Sequence, residues 1–233
     1  MQLVPNSIFE FPQMQRLLDE EGSVIEQRMA AVTDGPVLSI APIDAPSRLL
    51  VDSRRPIKRL HVAADGLAGD ACCPPDALPW AADSFQVVIA RHVVDALPAD
   101  SGIEAELVRV LAPGGVLMLC GLNPLSPWRL WWSRSWRNGD RVPIPRHVAS
   151  MQRTLENSGM SMLDQQFIGG VWPRSDDESR VGAKGPGARW HGAWLLVTSK
   201  QPVSMRMMPL PYRRPQARLG PAFVPSSSGR HCA

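Results

Sequence analysis

Cysteine is scarce and badly placed for cross-linking. Cys72 and Cys73 are adjacent, Cys120 lies in an apolar run, and Cys232 stands alone near the end. Neither a disulfide framework nor zinc-ligand spacing results. His61, His191 and His231 have no partner at metal-ligand spacing, so no metal is expected. No apolar run approaches the roughly 20 residues that span a bilayer. The N-terminal stretch carries Glu10, Asp19, Glu20 and Glu21 and has no apolar signal core, so the expected setting is the cytoplasm. There are no internal repeats. Glycine is missing from Val37 to Asp65, which removes the residue that lets backbone approach a ligand closely. Acids are missing from residues 201–233, which hold five Arg, six Pro and a serine run at Ser226–Ser228. That composition predicts an extended or disordered tail.

What is present is enough for one α/β domain plus that tail: 233 residues, 44% apolar, net charge +3. Phe11-Pro12 predicts a helix entry, and the apolar spacing continues to about Ala31, with a break at Gly22. Strands are predicted at Val37–Ala41, Lys58–Ala63, Ala68–Cys72, Phe85–Ala90, Val116–Cys120, Met162–Ile168 and Ala193–Lys200. Helical signals cover His92–Leu97 and Ile103–Leu111, the second opened by a Ser101-x-x-Glu104 capping box and stopped at Pro113-Gly114-Gly115. Ser126-Pro127 predicts the cap of a Trp-rich helix that runs to Gly139. Another helix covers Arg146–Ser158. The connection Gly169–Arg189 is read as mobile. A strand, helix, strand unit at residues 85–120 makes sense as part of a parallel sheet.

The run Leu78-Pro79-Trp80, then Ser84-Phe85-Gln86-Val87-Val88-Ile89, His92, and Arg109-Val110-Leu111-x-Pro113-Gly114-Gly115 resembles class I S-adenosylmethionine (SAM) dependent methyltransferases of the type 11 branch. Gly121-Leu-Asn-Pro-Leu-Ser126 resembles a GFNP-x-S signature of a small bacterial subfamily with a degenerate cofactor loop. The specific motifs cover residues 76–127; strand and helix order extends the likeness to about 13–200. The resemblance implies an open, mainly parallel, seven-stranded sheet with helices on both faces and an antiparallel last strand. It implies a methyltransferase-like domain over 1–200, with a helical lead-in at 1–36 and a Trp-rich helical insertion at 124–158, and a separate tail at 201–233. It also implies SAM as cofactor, with transfer of its methyl group to an unknown small-molecule or lipid-like acceptor.

The family pattern is not complete here. Ser39-Ile40-Ala41-Pro42 stands where the family has a Gly-rich loop, and Gln86 replaces an acid. The acid expected before the Leu-Pro-Trp run falls on Pro74, leaving Asp76 or Asp70 as substitutes. Asp65 takes the place of the acid that grips the ribose hydroxyls.

The candidate cofactor residues are therefore Ile40, Ala41, Asp65, Asp76, Leu78 and Arg91. Leu78 could flank the adenine or simply close the sheet edge. His92, just past a strand end, could serve as a general base or as a half-buried capping residue. Asn123 could hold an acceptor group or start a tight turn. Trp128 and Trp132 could face substrate, a membrane or nucleic-acid bases, or pack in the core or a lid. The Arg-rich tail could contact nucleic acid, a membrane surface or an acidic partner through charge, or remain solvated. Two functions stay open: an active methyltransferase, or an inactive module on the same fold that binds through the Trp-rich helix or the tail.

Overall fold

The computed structural model describes residues 7–32, 34–43, 55–135, 143–173 and 189–201. The chain divides into two compact units, Met1–Pro202 and Val203–Ala233. The second unit, the expected tail and most of the expected mobile connection lie outside the described residues.

A 3-10 turn at Ile8–Glu10 is capped by Ser7, whose hydroxyl accepts from the Phe9 N–H. Helix α1 follows over Pro12–Met29, with proline at its first position. It runs unbroken through Gly22, because the stripe Met14, Leu17, Leu18, Val24, Ile25 and Met29 buries one whole face. Those six side chains contribute on the order of 10 kcal/mol of gross apolar burial, which outweighs a single helical glycine at about 1 kcal/mol.

The strands are β1 Val37–Ala41, β2 Ile57–Ala63, β3 Gly66–Gly69, β4 Phe85–Arg91, β5 Leu111–Leu122, β6 Met160–Ile168 and β7 Ala193–Lys200. They form one sheet in the order β3-β2-β1-β4-β5-β7-β6. The pairs β1–β2, β1–β4 and β4–β5 are parallel; β2–β3, β5–β7 and β6–β7 are antiparallel. The parallel centre and the antiparallel last strand match the expected architecture. Strand β3 differs from the simple expectation: it returns directly from β2 as a hairpin, with Ala63 opposite Gly66. Only Ala64 and Asp65 lie between, too few for a crossover helix.

Side chains alternate across the sheet. Val87 and Ile89 of β4, with Met118 and Cys120 of β5, face α1 and the Trp-rich helix α4 (Trp128–Ser135). Val88 and Ala90, with Leu117 and Leu119, face α2 (Val93–Ala96), α3 (Ile103–Val110) and α5 (Val148–Asn157). Both faces are covered, so the central strands are apolar throughout rather than alternating.

The Leu-Pro-Trp and Arg-Val-Leu runs prove to be one clamp. Arg109 donates to the Leu78 and Trp80 carbonyls at 3.1 and 2.9 Å and pairs with Glu106 at 2.7 Å. Glu106 in turn accepts from the Leu78 N–H at 2.7 Å. At Pro113-Gly114-Gly115 the chain bulges into β5. Gly114 has φ +75°, and a Cβ on Gly115 would lie 2.8 Å from the Ala112 carbonyl oxygen. The expected Ser101 capping box does not form. Gly102, in the left-handed region, is the N-cap residue, and Glu104 pairs with Arg146. The cap predicted at Ser126 does form, accepting from the Trp128 N–H at 3.3 Å.

Candidate functional site

Strands β1 and β4 are parallel neighbours whose connections leave on opposite sides, toward β2 and toward β5. In an open α/β sheet the crevice beyond the strand ends at such a switch point is where ligands bind. Most of the candidate residues gather on this edge. Ala41 ends β1, half-buried, and is followed by a buried Pro42. Asp65 is exposed in the two-residue turn after β2. Asp76 is exposed beside Gly102 at the start of α3, the helix that returns to the start of β5. Arg91 ends β4, and Asn123 follows β5.

The end of β4 is the most elaborate part. His92 leaves the strand with φ +53°, a conformation uncommon for a side-chain-bearing residue. Its N–H still donates to the Cys120 carbonyl at 2.9 Å. The turn drives the imidazole beneath α1, where it is fully buried against the Phe9 ring at 5.0 Å. Nε2 lies 2.8 Å from Glu21 Oε1 and Nδ1 lies 3.1 Å from Asp95 Oδ2. The Arg91 guanidinium sits 3.4 Å from Glu21 Oε2 and also donates to the Leu18 carbonyl. Asp95 Oδ2 accepts from the Leu122 N–H at 2.7 Å. One network therefore ties α1 to the ends of β4 and β5.

Its electrostatics follow from burial and pairing. Burial alone would push the His92 pKa down, but the Glu21 carboxylate and the bonds to Asp95 and Glu21 raise it to about 9. Glu21, which burial would push up, is held low by His92 and Arg91. Asp95 is pushed up by burial, against the favourable bonds to His92 and Leu122. Its Oδ1 has no hydrogen bond of ordinary geometry, although the Arg146 backbone N–H still favours the carboxylate. At neutral pH His92 is thus an imidazolium that donates from both nitrogens. A base needs a free lone pair, and here neither nitrogen has one.

Glu21 and Asp95 are not among the candidate residues that the sequence singles out. A signal for Glu21 was available: it falls three or four positions from Leu17, Leu18, Val24 and Ile25, an acid on the apolar stripe of its own helix.

The remaining candidates pack. Leu78 is buried in the core beside α3. Asn123 spends its amide on the loop: Nδ2 donates to the Arg189 and His191 carbonyls at 2.7 and 2.8 Å, and Oδ1 accepts from Leu125 at 3.1 Å. Trp128 and Trp132 are buried, and Trp128 Nε1 donates to the Gly170 carbonyl at 2.8 Å. Among the described residues no group of His, Cys, Asp or Glu could hold a metal ion, and no helix is long and apolar enough to cross a membrane.

Comparison with known proteins agrees with the sheet architecture. The family described as "Methyltransferase domain" matches residues 35–119. A chain of a Haloferax volcanii complex that contains the Trm112 methyltransferase activator is similar at TM-score 0.51 and 14% identity, over 80% of this chain and 95% of that one. A protein from Pyrococcus horikoshii OT3 is similar at TM-score 0.50 and 8% identity, over 84% and 95%. A SAM-dependent methyltransferase from Archaeoglobus fulgidus gives 0.49 and 10%, over 78% and 94%. At these identities the first two likenesses are of fold alone. No curated protein matches the chain.

Proposed function

Starting from a chain whose residues 35–119 form a methyltransferase-type domain and whose sheet has the class I order, we propose that it catalyses SAM-dependent methyl transfer to a small-molecule or lipid-like acceptor. The observation that carries this reading is the β1–β4 switch point, with Asp65 and Asp76 exposed on the same edge. A carboxylate at the end of β2 suits the two hydroxyls of a ribose, so the nucleoside end of SAM fits the residues present. Asp65 would hold the ribose, Ile40 and Ala41 would offer backbone beside it, and Asp76 would stand on the opposite side.

Bound there, SAM supplies an electrophilic sulfonium methyl. The protein's share is to align the acceptor with that methyl. His92, charged and enclosed, is assigned a positioning role: it fixes the end of β4 under α1. Calorimetric titration with SAM and with its demethylated product tests the reading. Saturable binding that weakens in Asp65→Asn supports it; no heat and no thermal shift at millimolar ligand would sink it.

A second reading rests on a specific observation. At the amino-acid end of such a site, Ala41-Pro42 replaces a glycine turn, and Arg91 and His92 are already bound to the protein's own Glu21. This favours an inactive module on the methyltransferase fold. Arg91 and His92 would then be bound to Glu21 with or without SAM, and SAM would leave the melting temperature unchanged.

A further inference from the structure

The two faces of α4 carry opposite chemistry. Trp128 and Trp132 point into the core, while Arg129, Leu130 and Ser133 are exposed. Beside them stand Leu125, from the turn after β5, and Trp190, from the segment that enters β7. These residues, with Ser126 and Pro127, border an open groove of about 550 Å³. Leu125, Leu130 and Trp190 are 56%, 63% and 55% exposed.

Their exposure is built in rather than frayed. Ser126 Oγ donates to the Trp190 carbonyl at 2.8 Å, and Asn123 Nδ2 donates to the Arg189 and His191 carbonyls. The backbone is thus pinned on both sides of Trp190 while its indole stands out. Three large apolar side chains held together in water mark a contact surface rather than scattered surface residues. Among the residues that line the groove, the charged one is an arginine. Arg129 lines the groove and Arg189 is exposed next to Trp190, and there is no acid in residues 111–135 or 189–201. An apolar crest with arginines at its rim is complementary to a surface that is anionic outside and apolar beneath.

We propose that this face rests on an anionic lipid bilayer. Leu125, Leu130 and Trp190 enter the boundary between headgroups and acyl chains, and Arg129 and Arg189 meet the phosphates. The contact is peripheral, and it stands whether or not the strand-exit site transfers methyl groups.

The test is sedimentation of the full chain with vesicles of phosphatidylcholine alone and of phosphatidylcholine containing one third phosphatidylglycerol, at low salt. Binding is expected to the anionic vesicles and to fall at least about tenfold in Leu130→Glu, since burying one such side chain is worth that much. Arg129→Glu is expected to lower it on anionic vesicles. Both positions are exposed, so an unchanged melting temperature confirms that the variants fold. Equal binding by Leu130→Glu and the wild type would overturn the proposal and leave the five arginines of residues 201–233 as the anchor. Release by millimolar glycerol phosphate would overturn it in favour of a headgroup site alone. A wild-type dimer that Leu130→Glu converts to a monomer in gel filtration with light scattering would overturn it in favour of a second copy on this face.

Discussion

Replacing Glu21 with glutamine isolates the buried network. The change keeps the shape of the side chain and removes one charge. The amide oxygen can still accept from His92 Nε2, but the amide nitrogen cannot accept from Arg91, and nothing then balances the imidazolium except Asp95. With the His92 pKa at about 9, its protonated form is favoured at pH 7.5 by about 1.5 units, or roughly 2 kcal/mol. Removing one partner of a buried ion pair costs about 3–5 kcal/mol. His92 can escape part of that by releasing its proton, and the neutral amide no longer carries the cost of burying a carboxylate. The expected loss is therefore about 2–3 kcal/mol. In a protein of this size that lowers the melting temperature by roughly 5–10 °C. Thermal unfolding at pH 7.5 measures the loss, and NMR titration of the His92 ring measures its cause. Wild-type His92 should remain charged above pH 8, and in Glu21→Gln its pKa should fall. A variant within about 1 °C of the wild type, a small fraction of that shift, with His92 titrating near its ordinary value of 6.5 in both, would refute the reasoning.

The pH dependence has a definite sign. His92 has a raised folded pKa, so its contribution is complete below about 6.5 and is lost as pH rises through about 9. Glu21 is lowered, so its contribution is present above its ordinary value and fades as pH falls. Stability in buffered melts should be highest in mildly acid solution and decline toward pH 9, by up to about 1.4 kcal/mol per unit. Arg109→Ala removes the clamp on Leu78 and Trp80; a cost of about 1–3 kcal/mol is expected in urea unfolding, with residues 78–80 cut faster by protease. Gly121→Ala places a Cβ 2.1 Å from the Trp194 ring, which is fully buried. It should cost about 1–3 kcal/mol or more by overpacking, read as a lower melting temperature. If SAM binds, Ala41→Gly should tighten its calorimetric Kd by returning the close-approach residue to the end of β1; an unchanged or weaker Kd would mean that the Ala41 Cβ is not what limits binding.

The fold was legible where one physical rule dominates. Apolar runs of strand length, with Pro113-Gly114-Gly115 ending the helical pattern before it, are enough to specify β4, α3 and β5, although the tripeptide itself falls inside β5 as a bulge rather than ahead of it. The antiparallel return of β3 was not legible. Its cause is a two-residue turn at Ala64-Asp65, and the glycines that allow it, Gly66 and Gly69, both at positive φ, carry no direction of their own. The capping box failed for a similar reason. Ser101 and Glu104 have the right spacing, but Gly102 reaches the left-handed region at little cost, and Arg146 arrives from a distant part of the chain to pair with Glu104.

Of the candidate site, only the placement of residues along the strand ends was legible. Asp65, Asp76, Arg91 and His92 could be placed on the crevice edge by counting along strands. What could not be counted is that α1 would bring a carboxylate to meet two of them. Glu21 lies 70 residues before Arg91 and 71 before His92, and a charge on an apolar stripe is costly unless a partner is waiting. That cost is itself an argument about the fold. A helix that carries Glu21 into the core cannot dock on any bare apolar face, since a carboxylate there would be unpaired. It docks only where Arg91 and His92 converge, at the ends of β4 and β5. The buried charges thus select the position of α1 on the sheet, and by doing so they bring the protein's own carboxylate to the ends of β4 and β5.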